Sequence, residues 1–433
     1  MRHSLLIGFT VLILILAACS PALSSGTPDE LSNAPQATVT PQKELPTQEN
    51  VPEATTDAQT TATESAPFPT LIPGEDPTPP ELIDEKPPTY AVNEFFTDFD
   101  RHLVSYREIQ ELIPKDAISS LDEPSFISAA EADQTLRPRE PVIFIQLGKD
   151  ARAYPLRILT WHEIVNDTID GQPIAVTFCP LCNTAIAFQR EVDGLTLDFG
   201  TTGRLRYSNL IMYDRQTESW WQQATGEAIA GIFTGRQLAA IPAAIIAWED
   251  FRASFPQGKV LSQETGFVRS YGDNPYAGYD DVDNTPFAYA GPLPPDVLLP
   301  MERVLTVEIN GEAAAYPYTA LKEARVINDT VGGQDIVIIW EPGTASALDD
   351  SFIPAGREVG AANAFSAVLD DQLLTFNWDG ERVNDEQTGS TWNILGIALA
   401  GPYKDRQLTP VVSINHFWFS WAAFKPETRV YTP

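Results

Sequence analysis

AYPLRILTWHEIVNDTIDGQ, residues 153–172, returns at residues 315–334 as AYPYTALKEARVINDTVGGQ. How this pair is read decides the fold. Ala153-Tyr154-Pro155 answers to Ala315-Tyr316-Pro317, Asn166-Asp167-Thr168 to Asn328-Asp329-Thr330, and Gly171-Gln172 to Gly333-Gln334. The period is far longer than that of a solenoid repeat, so the spacing predicts two related lobes. In each, a short strand (142–147; 304–309) turns into Tyr-Pro and a helix, 155–165 in the first copy, because proline suits a first helical turn. An Asp-Gly or Gly-Gly pair then opens a strand, 174–178 or 336–340. Residues 184–192 and 195–199 read as a hairpin about Asp193-Gly194. The copies continue outward: Asp214, Thr217, Ser219 and Trp221 match Asp385, Thr388, Ser390 and Trp392, and Trp248 matches Trp418. Residues 243–255 present Trp248, Phe251 and Phe255 at helical spacing. The partner segment presents Trp418, Trp421 and Phe424, and both stripes read as core. The expected class is α+β: an internally duplicated two-lobe body, mostly antiparallel sheet with short helices, behind a disordered Pro/Thr-rich tether.

The tether follows from the N-terminus. Arg2 and His3 precede an apolar run, 5–16, too short to span a bilayer. The run closes on Leu16-Ala17-Ala18-Cys19, which is similar to a bacterial lipobox. The expectation is a lipoprotein signal peptide, 1–19, with lipid carried by Cys19 and the body facing the extracytoplasmic side of the bacterial membrane, at the cell surface or in the periplasm. Residues 20–95 are rich in Pro, Thr and Glu and poor in large apolar side chains, so they read as a disordered linker. The first lobe is then 96–265, a connector 266–300, and the second lobe 301–433. A formal charge of −31 repels phosphate backbones, so nucleic acid is not an expected partner.

Comparison of the copies separates scaffold from chemistry. Asp214 and its neighbours occur in both, as turn residues beside a buried tryptophan would. Cys179 and Cys182, in Cys179-Pro180-Leu181-Cys182, occur in one. At the same offset stand Glu341 and Thr344, while Pro180 persists as Pro342 and His162 becomes Ala324. With Cys19 spent on lipid, this pair holds the remaining thiols. Three readings stand. The pair cycles between dithiol and disulfide with an extracytoplasmic protein thiol, Cys179 attacking, Cys182 resolving and His162 assisting. Alternatively it grips copper or zinc with His162 as third ligand beside Glu163, Met212 and His416 being weaker donors, the latter on the aromatic helix. Or the pair is a structural disulfide in a non-catalytic ligand-binding lipoprotein. That staple is weak, since closing so short a loop removes only about 2 kcal/mol of unfolded-state entropy.

Trp161-His162-Glu163-Ile164-Val165-Asn166-Asp167, the Cys-Pro-Leu-Cys turn, Met212-Tyr213-Asp214-Arg215, Thr217-Glu218-Ser219-Trp220 and Thr225-Gly226-Glu227-Ala228 occur in that order. Together they resemble the bacterial family catalogued as domain of unknown function 3179, from about residue 139 to the C-terminus. The resemblance implies an exported domain and supplies no activity and no catalytic residues. The residues after Cys182 alternate as a strand does, which disfavours a thioredoxin fold. There is no serine elbow, phosphate loop, His-Glu-X-X-His or calcium loop.

Overall fold

Pro141–Leu147 is apolar at nearly every position and lies in the middle of a sheet, paired antiparallel on one side with Asp150–Pro155 and on the other with Ala244–Ala247. Such two-sided burial suits a strand with no polar alternation. The computed structural model in which this is seen describes residues 81–433 except Leu293. Lys259–Leu261 joins the same sheet parallel to Asp150–Pro155, as Arg429–Val430 does to Glu312–Pro317, while the other strand pairs among the described residues are antiparallel. The helix after Tyr154-Pro155 spans Leu156–His162, three residues short of the expected end. Glu163 stops it by taking φ +57°, while its N–H still reaches the Leu159 carbonyl at 2.8 Å. Ile164–Ile169 and Gln172–Cys179 then form a hairpin around Asp170-Gly171, whose two positive φ values (50° and 80°) fit the twist of the flanking strands. Thr184–Gln189 adds to its other side.

Three expectations need correction. The strand expected over 184–192 stops at Gln189, and Glu191–Val192 pairs with Leu195–Thr196 in a small ribbon of its own around Asp193-Gly194. The helix expected over 243–255 begins only at Trp248. Ala244–Ala247 is a strand, because β-branched Ile245 and Ile246 fit the pleated edge beside Ile143 and Val142. The expected linker extended to residue 95, yet Thr89–Glu94 is helical and Ala91 is buried. Phe95 packs its edge on Trp220 at 5.2 Å between ring centroids. Residues 1–80, with the signal peptide, Cys19 and most of the expected linker, lie outside the described residues. Among the described residues no helix is long and apolar enough to cross a membrane.

The second stretch is built alike. Arg303–Ile309 pairs with Glu312–Pro317, the helix Tyr318–Ala324 ends at Arg325 with φ +66°, and Val326–Val331 pairs with Gln334–Glu341. Individual bonds recur as well. The Asn166 carboxamide donates to Phe199 O and accepts from Phe199 N, at 2.8 and 2.9 Å. Asn328 does the same with Phe376, at the same two distances. Asp214 accepts from the Thr217 amide and the Trp221 indole, as Asp385 does from Thr388 and Trp392. The two stretches do not keep separate cores. One buried cluster joins Val142, Phe144, Ile246 and Trp248 to Val337, Ile339, Phe365 and Trp392.

Two local differences between the stretches fall close to the cysteines. Four residues, 180–183, connect Gln172–Cys179 to Thr184–Gln189, whereas 342–360 make the corresponding connection between Gln334–Glu341 and Ala361–Ser366. The hairpin Phe199–Arg206/Asn209–Asp214 is long, while Phe376–Trp378/Val383–Asp385 is short.

Candidate functional site: a buried dithiol

Cys179 ends its strand, and Pro180–Cys182 makes one tight 3₁₀ turn that proline pre-sets by fixing its own φ. Asn183 closes the turn in the left-handed region (φ 52°, ψ 37°), a conformation asparagine tolerates better than most residues. Thr184 then lies opposite Cys179 across the sheet. The two sulfur atoms are thereby brought to 2.7 Å. Cys179 is 2 % exposed and Cys182 fully enclosed.

The long hairpin reaches this point from the neighbouring sheet. Arg206 and Asn209 face each other, so Tyr207 and Ser208 alone make the turn, with φ 53° and 64°. That turn prefers Asn-Gly, because left-handed backbone costs other residues about 1–2 kcal/mol each. What the strained turn achieves is placement of one carbonyl: Ser208 O lies 3.3 Å from Cys182 Sγ and 4.0 Å from Cys179 Sγ. The shorter hairpin of the second stretch turns through a glycine instead, Gly380 at φ 103°. Replacing Tyr207-Ser208 by Asn-Gly should raise stability by about 1 kcal/mol, read as a higher urea midpoint. An unchanged or lower midpoint would show that the turn carries no strain.

A strand and a helix near the C-terminus complete the site. Ser413–Phe417 carries His416, which corrects the expectation that this histidine belongs to the aromatic helix; the helix is Trp418–Ala422. His416 Nδ1 is 2.8 Å from Thr184 Oγ1 and 3.4 Å from Ser420 Oγ. Thr184 gives its single proton to the Cys182 carbonyl, so Nδ1–H is the donor and Nε2 is left as an acceptor. Among the described residues that buried Nε2 has no partner. Burial holds the imidazole neutral and lowers its pKa to about 3. Ser420 donates to Asn209 Oδ1 at 3.0 Å and also acts as a hydrogen-bonding neighbour of the Cys182 thiol.

Electrostatically the pocket favours neutral sulfur. Burial pushes the Cys182 thiol well up, and the adjoining Cys179 and the Glu163 carboxyl push it the same way, with Ser420 as a partial offset. Glu163 is itself raised to about 8 by burial. Tyr279, from the 266–300 connector, donates from its hydroxyl to Leu181 O at 3.0 Å and so covers the Cys-Pro-Leu-Cys turn. Asp280 fixes that cover: its carboxylate, with no exposed surface, meets Arg303 and Arg357 and accepts from Ser346.

His162 does not turn its nitrogens to the sulfurs. Nδ1 donates to Ser119 O at 2.7 Å and Nε2 accepts from Tyr271 OH at 2.6 Å. Met212 lies in the same apolar cluster as both cysteines, packed also with Trp221. Among the described residues no group of three or more His, Cys, Asp or Glu side chains is arranged to hold a metal ion, so the residues present do not fit the copper or zinc reading. Sequence reasoning missed Ser208, Asn209, Thr184 and Ser420. Tyr207-Ser208 contains no turn signal, and nothing local ties residue 420 to residue 182.

The family model described as Protein of unknown function (DUF3179) matches residues 115–428. No curated protein and no solved structure matches the chain.

Proposed function

The chain belongs to the DUF3179 family of proteins of unknown function, and, since that membership brings no activity, we propose that it is a lipid-tethered extracytoplasmic thiol–disulfide redox protein working through Cys179 and Cys182. The observation that carries this reading is the pair itself: two sulfurs in contact, set on a strained carbonyl and enclosed by three separate parts of the chain. Strain of this kind persists where surrounding structure imposes it, and it concentrates at functional sites. A structural staple would not need that surrounding, and its entropic gain is small.

In the reaction, the Cys179 thiol loses its proton and its sulfur attacks one sulfur of a partner's disulfide. The partner's other sulfur leaves and takes a proton. Cys182 then attacks Cys179 in the mixed disulfide, releasing the partner's second thiol and leaving the Cys179–Cys182 bridge. Two electrons pass to the partner with two protons, so the balance closes. The raised Cys182 thiol fits the resolving role, since it stays protonated until the mixed disulfide forms. The tether comes from the reading of Leu16-Ala17-Ala18-Cys19 and the segment after it. The recurring Asn166/Asn328 and Asp214/Asp385 bonds support an origin by duplication, with thiol chemistry confined to the first copy.

The test is a redox titration of the full chain in detergent, equilibrated in dithiothreitol buffers, quenched with acid and counted for thiols. Two thiols appearing together at one potential, and absent in Cys179→Ser and Cys182→Ser, support the reading. Thiols that stay reduced under excess oxidised glutathione, even in mild denaturant, defeat it.

A further inference from the structure

A cleft of about 370 Å³ opens beside His162, away from the groups that line the sulfur pair. Its size falls among small-molecule sites, which span roughly 300–1,000 Å³. One wall is Ser120, Asp122 and Glu123; the other is Ser262, Thr265 and Phe267. We infer that this cleft binds a neutral, hydroxyl-rich ligand, a mono- or disaccharide, between the Phe267 ring and the Asp122 wall.

Charge argues for neutrality. Asp122 is offset by Arg215 at 3.2 Å, and Arg269 lies over the Phe267 ring at 5.8 Å. Carboxylates on the lining repel an anion, while Arg215, shared with Asp116 at 3.6 Å, and Arg269 offset part of the negative charge that would draw a cation. What remains are the lone pairs of the carboxylates and of hydroxyls already oriented by the protein, Ser120 by Asp122 and Arg215, Ser262 by the Glu264 amide and Thr265 by Tyr271 and the Phe267 amide, which suit the donating hydroxyls of a sugar. The Asp122 carboxylate is already oriented: Oδ1 accepts from Ser120 Oγ at 2.9 Å and from Asn166 Nδ2 at 2.8 Å. Its side chain keeps 44 % of its surface open.

The opposite wall is held by a chain of hydrogen bonds. His162 gives its Nδ1 proton to Ser119 O, so Nε2 accepts from Tyr271, and Tyr271 must then accept from Thr265 Oγ1 at 2.5 Å. The chain fixes the proton direction of the Thr265 hydroxyl, whose oxygen accepts from the Phe267 amide at 3.3 Å and keeps one further lone pair. Phe267, 40 % exposed, leans on the His162 ring at 5.2 Å between centroids, and Val268 beside it is 95 % exposed. An aromatic ring fixed at the lip of a polar cleft offers a flat apolar platform for the C–H face of a sugar ring. His162 thereby positions the wall and need not touch the ligand.

The test is saturation-transfer NMR of the full chain with maltose, cellobiose, lactose and N,N′-diacetylchitobiose. Saturable transfer to at least one sugar is expected. It should weaken roughly tenfold or more in Phe267→Ala and in Thr265→Val, with near-ultraviolet dichroism of both variants unchanged. Binding should persist in Cys179→Ser, which separates this result from the redox reading. Absence of transfer from all four sugars overturns the proposal. So does transfer undiminished in both folded variants, or equal binding of glucuronate or spermidine.

Discussion

Asp280→Ala should expose the dithiol, raising its alkylation rate by iodoacetamide on the order of a hundredfold while the body stays folded. Asp280 has no solvent-exposed surface and is shared by Arg303, Arg357 and the Ser346 hydroxyl. Burial alone would raise its pKa, but the two guanidiniums and Ser346 reverse this and hold it below the ordinary carboxylate value. Removing one member of a buried ion pair costs about 3–5 kcal/mol, because the other is left without compensation. That cost falls on the connector: next to Asp280 stands Tyr279, whose hydroxyl caps the Leu181 carbonyl. Around it, Gly272 O, Asn274 N and Gly278 N bond to residues 349–353 and hold the segment down. Since each 1.4 kcal/mol is tenfold, even part of this cost spent on local opening gives the stated rate. Tyr279→Phe, which loses only the cap, should give a much smaller increase. If Asp280→Ala reacts no faster than the parent protein in the folded state, the connector does not guard the thiols.

Raising the pH from about 5 to about 8 should lower stability by several kcal/mol, the reverse of the behaviour of a protein held by paired carboxylates. Three carboxyls keep their protons in the fold after the unfolded chain has lost them. Burial raises Glu163 to about 8; burial and then Asp250 raise Glu341 to about 7; burial and then Glu249 raise Asp250 to about 6. Above about pH 4.5 the native state therefore binds more protons than the unfolded state, and stability falls until each folded pKa is passed. One group costs about 1.4 kcal/mol per pH unit. Glu341 and Asp250 are partly exposed and count for less than Glu163. His416 works in the opposite sense: its pKa falls from 6.5 to about 3, so its share of stability is lost as the pH drops through that window. Burial lowers His162 as well and also raises Asp214 and Glu227, so the raised carboxyls still outnumber the lowered histidines and the maximum lies near pH 5. Urea midpoints at pH 5 and pH 8 check this, and Glu163→Gln should flatten the difference. A midpoint higher at pH 8 would contradict it.

Much of the architecture is legible in the sequence because its signals are local. Asp170-Gly171 and Asp193-Gly194 announce their turns, and Tyr154-Pro155 marks where strand becomes helix. The end of that helix is hidden because Ile164 and Val165 continue the apolar pattern. Only the backbone of Glu163, turned to positive φ, ends the helix there. Ile245 and Ile246 pass for helix because a short apolar run before an aromatic stripe carries no period of its own. The cysteines stand out by their absence from the second copy. Their surroundings do not, since Ser208, His416 and Ser420 arrive from remote parts of the chain. His162 draws notice for the same asymmetry, and the structure sets it against Ser119 and Tyr271 instead.

The order in which the parts of the sulfur pocket are synthesised has its own consequence. Cys179 and Cys182 leave the ribosome more than two hundred residues ahead of His416 and Ser420. Through that interval the pocket lacks the wall that Ser413–Phe417 and Trp418–Ala422 supply, so the thiols are less protected from oxidant than in the finished fold. A chain cut short before residue 413 would keep its thiols without that wall.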